Sequence, residues 1–284
     1  MTDVVITGVT PSVRFRWLSW AWVGLAAIVL YALVVPLLAP AAWHEVDLAA
    51  ARQAPSAAHW FGTDSTGRDL FVRVAEGLRV SLLIAVICSV TSTLIGVAVG
   101  TFAAVAGGAV DGVLMRFTDA TNALPHLLLG ITIVAFFPGS LVAIIASIAL
   151  THWPQVARIV RSVAVTTRRM EFVDAAYLAG ARRRDVTVRH ILPAVSGQAA
   201  VAIVLLLPHA IWHESTLSFL GLGLAPDAAS LGTLLAIARG EMLIGAWWAL
   251  AFPAVVLVVT TLAASGIAHR LQRRFAPVAE ARVA

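Results

Sequence analysis

EFVDAAYLAGARRRDVTVRHILP, residues 171–193, lies in a polar, arginine-rich island between two long apolar segments. Taken as a helix, Glu171–Ala179 puts Phe172, Ala175, Ala176 and Ala179 at i, i+3, i+4 and i+7, on one face made mostly of methyl groups. Such a face lets another protein approach closely. Glu171 and Asp174 fall near the start, where carboxylates favour the positive end of the helix dipole. Gly180 supplies a residue free to take positive φ and end the helix. Asp185 is placed to cap a second short helix, and Leu192-Pro193 opens the next segment.

Composition decides what surrounds the island. Of 284 residues, 60% are hydrophobic and 12% charged, against about 25% charged in a soluble domain. The expected class is therefore an all-α polytopic membrane protein with no room for a separate catalytic domain. Apolar runs long enough to span about 30 Å of hydrocarbon are expected at 17–39, 80–104, 117–137, 140–159, 194–220 and 245–268, six transmembrane helices in all. The first run reads as a span, not a cleaved leader: it is too long, and no small-residue cleavage site follows. The domains expected are a tail at 1–16, a first span with an extracytoplasmic segment at 17–79, and a permeation core at 80–268. That core holds the island as a loop at 160–193, and a second tail occupies 269–284. A stretch at 224–244 is expected to be re-entrant or superficial.

All twenty basic residues are arginine. With six spans the segments 1–16, 105–116, 158–193 and 269–284 share one side and hold fifteen of them; the other side holds Arg52, Arg68, Arg73, Arg79 and Arg239. The positive-inside rule puts the first side, and both termini, in the cytoplasm. The net charge of +5 is explained by this asymmetry and by anionic lipid, without nucleic acid. Without lysine there is no phosphate-binding loop ending in Gly-Lys-Ser/Thr, so the chain holds no nucleotide in that way. Cys88 lies in an apolar run and reads as a buried small hydrophobe.

Three groups of residues stand out besides the island. His59-Trp60-Phe61-Gly62-Thr63-Asp64-Ser65-Thr66-Gly67-Arg68-Asp69 carries turn residues between two glycines, with Arg68 and Asp69 able to pair or brace the turn. Gly96 and Gly100 have the small-xxx-small spacing of close helix packing in lipid. Asp119, His213 and Glu214 fall inside expected spans, where an ionisable group faces a bundle interior, a water path or a partner subunit. His213 and Glu214 point in different directions on a helix, which argues against a proton-sharing dyad. His126, after Pro125, is read as packing only. Ser218 and His213 sit on one helix without a separately oriented base, so a hydrolase is set aside.

The island resembles the coupling loop of ABC importer permeases: Glu-Ala-Ala, three residues, Gly, nine residues, Ile, one residue, Leu-Pro. Here Asp174-Ala175-Ala176, Gly180, Leu192 and Pro193 hold those positions, with Asp174 for Glu and His190 for Ile. The Gly62-Thr63-Asp64…Gly67-Arg68-Asp69 segment, Leu78-Arg79-Val80-Ser81-Leu82 and Leu217-Ser218-Phe219-Leu220-Gly221-Leu222-Gly223 after Glu214 resemble the C-type permease subunit of dipeptide and oligopeptide importers. Ser230-Leu231-Gly232 matches that subunit less well, since the family usually has Trp before this Gly.

The resemblance implies a type I ABC importer permease fold in the bacterial inner membrane. It implies a heterodimer with a B-type permease, one or two ATPase subunits that carry ATP and Mg, and an extracytoplasmic substrate-binding protein. The chain itself is expected to hold no cofactor or metal and to be no enzyme. Glu171, Asp174, Ala175, Ala176, Gly180, Leu192 and Pro193 would then contact the ATPase. Importers for nickel, glutathione or another small solute share the pattern. An ion-driven secondary transporter is the reading from a different class, and it would have no need of the coupling loop.

Overall fold

The computed structural model describes residues 16–225 and 228–275, with side chains from Trp22 to Gln272. The outer parts of both expected tails, 1–15 and 276–284, lie outside the described residues. Eleven helices follow in order: α1 (Arg16–Leu38), α2 (Ala41–His44), α3 (Leu70–Ala106), α4 (Gly108–Ala123), α5 (His126–Ala135), α6 (Leu141–Arg168), α7 (Glu171–Leu178), α8 (Arg183–Val186), α9 (Leu192–Phe219), α10 (Leu231–Leu243) and α11 (Trp248–Phe275). Among the described residues there is no strand. Four helical stretches are long and apolar enough to cross a membrane: Leu70–Ala106, Leu141–Arg168, Arg183–Phe219 and Trp248–Gln272. Two shorter apolar helices, Trp22–Leu38 and His126–Ala135, accompany them.

Helix α3 is the axis on which the core is strung. Near its start Leu70, Val74 and Leu78 pack with Leu231, Leu234 and Trp248. At mid-length Ile84, Ala85 and Cys88 pack with Ile144, Ile148, Ile211 and Leu217. Towards its end Ala104 joins Val156, Val160, Val173, Val186 and Ile191. The close approach of α3 and α6 rests on the two glycines: a Cβ on Gly96 would stand 2.5 Å from Val156 Cβ, and one on Gly100 2.4 Å from the Ala157 carbonyl oxygen.

Helix boundaries depart from the expected spans for local reasons. Helix α3 starts ten residues before the expected Val80, because Asp69 caps it, its side chain accepting from Val72 N at 3.1 Å. The charged residues that follow are interspersed with buried Leu70, Val74 and Leu78. The expected third span is two helices, broken at Leu124, which is extended (φ −74, ψ 136) before Pro125 as pre-proline sterics demand. Helix α6 runs on to Arg168, well into the expected loop. The stretch at 224–244 is not superficial throughout: α10 is capped by Ser230 and buries Leu231, Leu234 and Ala238.

Candidate functional site

The 171–193 segment folds as helix, turn, helix. Glu171 and Asp174 occupy the first turn of α7. Its end closes with two reverse hydrogen bonds, Gly180 N to Tyr177 O and Ala181 N to Ala176 O, both 3.0 Å, around Gly180 at φ +87. No side chain could adopt that φ without strain, although the space around it is open. Asp185 accepts a hydrogen bond from Arg182 N at 3.4 Å and caps α8. A single wide turn, Thr187–Ile191, then leads directly into α9. The widening falls just where Pro193 withholds its N–H and would crowd the carbonyl four residues back.

The outward face of α7 departs from the expectation at Ala176 alone. Val173 is fully buried and Ala176 packs against the same core, so Ala176 belongs to the anchored side. Phe172, Ala175 and Ala179 remain exposed, joined by Leu178, which is 91% exposed. Ile191 is buried and His190 lies 5.6 Å from the Phe172 ring. The inward apolar side chain has thus moved one position along from His190. Around the anchor, Arg168 donates to Ala104 O at 2.9 Å, and Arg161 grips Asp111 through two hydrogen bonds. With Arg169 and Asp174 these groups line a polar cavity of about 620 Å³ behind α7.

The three ionisable residues of the expected spans take different places. Asp119 is exposed and paired with Arg158 at 2.9 Å. Glu214 is wholly buried; it accepts from Ser81 at 2.8 Å and from Ser218 at 2.9 Å, and Ser81 in turn accepts from Leu231 N at 3.2 Å. That chain of bonds ties α3, α9 and α10 together. His213 points the other way, into a group of four imidazoles. Its ring lies 4.8 Å from His152, which lies 5.3 Å from His126 and 6.4 Å from His209. His126 Nε2 and Asn122 Oδ1 are buried without a partner. His126 packs as expected, its ring stacked on that of His152. Of these residues, His152 and His209 were not singled out by sequence; the four-residue spacing of His209 and His213 on one helix face was the available clue. Among the described residues no group of His, Cys, Asp and Glu has the geometry to hold a metal ion.

At the opposite end of α3 the Gly62–Asp69 turn is braced by its own side chains. Asp64 accepts from Thr66 N, Thr66 Oγ1 and Arg68 N at 2.6–3.0 Å, and Arg68 Nε donates to Thr66 at 2.9 Å. Arg68 and Asp69 do not pair with each other: Asp69 is taken by His59 at 2.8 Å and by its capping role. Gly67, at φ +80, has the Asp47 carbonyl oxygen where a Cβ would sit. Arg52 binds Glu241 at 2.7 Å, which fastens the segment to α10 and raises the Arg52 pKa still further.

Residues 96–277 match the model of a family described as the inner membrane component of binding-protein-dependent transport systems. The oligopeptide transport system permease protein OppC of Escherichia coli K12 is 38% identical over 238 residues, 83% of this chain and 78% of that protein. The dipeptide permease protein DppC of Bacillus subtilis 168 is 36% identical over 246 residues, 87% of this chain and 77% of that one. OppC of the same bacterium is 37% identical over 250 residues, 87% and 82% of the two chains. These relatives are transport components, and the apolar helices are those of a multi-pass protein of the bacterial inner membrane. On this agreement of family model, relatives and fold, the chain belongs to the inner membrane components of binding-protein-dependent transport systems, among the ABC permeases of peptide-import type.

Proposed function

We propose that this chain is one permease subunit of an ATP-driven importer of di- and oligopeptides. It forms half of the translocation pathway and receives work through residues 171–193. Its six crossings are α1, α3, α4 with α5 as one interrupted crossing, α6, α9 and α11, with both termini in the cytoplasm. A B-type permease forms the other half. ATPase subunits carrying ATP and Mg sit against α7, and an extracytoplasmic binding protein delivers the peptide.

The observation that carries this reading is the build of α7: an exposed apolar knob, Leu178, on a short helix whose other face is fixed in the core through Val173. ATP-driven approach of two ATPase subunits would displace α7 as a rigid body. Its buried face would pass the shift to α3, α6 and α9, as in domain movements that change access between two sides. The imidazole group of His126, His152, His209 and His213 is the surface we assign to the pathway, because the buried, unpartnered Nε2 of His126 and the neighbouring Oδ1 of Asn122 call for water or substrate inside a membrane. Glu214, fully hydrogen-bonded, holds α10 in place, and Asp119 with Arg158 braces α4 against α6.

The test is peptide uptake into proteoliposomes holding the whole complex. A photo-crosslinker at Leu178 is expected to capture an ATPase subunit, and Gly180→Leu is expected to cut ATP-dependent uptake several-fold at normal expression. Uptake that survives ATP depletion, or a Gly180→Leu complex that transports normally, overturns the coupling role.

A further inference from the structure

Arg79 belongs to the Leu78–Leu82 motif, yet nothing in the coupling segment or the imidazole group uses it. It lies nine residues inside α3, about 14 Å along the helix from Leu70. It is exposed, and no side chain or carbonyl among the described residues pairs with it. Glu76, the nearest carboxylate along the helix, is taken by His44 at 2.9 Å. Below Arg79, on the same stripe, Leu82, Leu83 and Val86 floor a groove walled by α1, α9 and α11, with Leu25, Leu207 and Ile267 among its lining. Every lining residue except Arg79 is apolar. The groove holds about 500 Å³, within the roughly 300–1,000 Å³ usual for a small-molecule site. Leu33, Leu83 and Val86 leave it open on one side.

A lone cation heading an apolar groove inside a membrane-spanning helix calls for an amphiphile of opposite charge. We infer that this groove is a site for an anionic phospholipid, one acyl chain lying along Leu83 and Val86 and the phosphate paired with Arg79. The charge argues for lipid over a helix of a partner subunit: such a helix would have to bring a carboxylate to Arg79 as well as fill the groove. The lipid would join α1 to α3, α9 and α11 at a place where protein side chains leave a gap.

The experiment uses the whole complex, loaded with phosphatidylglycerol, stripped stepwise with detergent and weighed by native mass spectrometry. The last phosphatidylglycerol retained by the wild type is expected to be lost from Arg79→Gln at about fivefold lower lipid removal, the loss of one basic contact with an anionic lipid. Leu83→Trp, which keeps the charge and fills the exposed groove, is expected to lose it as well. Equal retention in either variant overturns the proposal. So does a photo-crosslinker at Leu83 that captures another protein subunit in place of lipid.

Discussion

Around Asp64 and Asp69 the chain is fixed by side-chain hydrogen bonds, four of them on or beside one carboxylate; around Val173 it is fixed by methyl groups from four helices. The first arrangement is directional. Each bond specifies a distance and an angle, and a small displacement breaks several together. The second is non-directional, so α7 can shift with its neighbours while its burial is kept. One end holds a fixed shape; the other is the end that, under the proposed function, is pushed.

The difference is open to direct attack. The largest effect is expected from Gly67→Ala, where left-handed strain of about 1–2 kcal/mol adds to overpacking against Asp47 O of about 1–3 kcal/mol. Thermal unfolding of the purified protein should show a marked fall in midpoint, or the protein should fail to accumulate. Val173→Ala should cost less, about 2 kcal/mol from lost methyl burial and the cavity left. It should also lower transport more than the stability loss accounts for, read as uptake per folded complex. Leu178→Asp should change stability by no more than about 0.5 kcal/mol, being almost fully exposed, while abolishing uptake. If Leu178→Asp unfolds the protein more readily than Val173→Ala, the inner and outer faces of α7 have been assigned the wrong way round.

Much of this was legible in the chain. The carboxylates of α7, its stop at Gly180, the cap at Asp185 and the close packing at Gly96 and Gly100 all depend on residues near one another in sequence or on simple spacing. The apolar runs told where the four long apolar helices lie but not where they begin. The arginines and glutamate of residues 73–79 read as a polar excursion, because single residues do not reveal that Asp69 caps a helix there or that Arg73 is buried beside Asp64 at 3.6 Å. Pro125 carried enough information to break the expected third span; the apolar run on either side outweighed it. The imidazole group was hidden for a tertiary reason: its members come from α5, α6 and α9, and only packing brings them within ring contact. The outward face of α7 was misread at Ala176 because a small side chain fits either a core or an interface.

The wide turn at Thr187–Ile191 joins α8 to α9 without a break, so that Arg183–Phe219 is one continuous helical stretch of 37 residues. It reaches about 55 Å, from beside α7 to the serines around Glu214. Under the proposed function such a stretch would serve as a lever arm: a tilt of about 5° at the end beside α7 would carry the far tip sideways by about 5 Å. The length of this one helix would then amplify a small movement at α7, and α10, fastened to its tip, would be carried along.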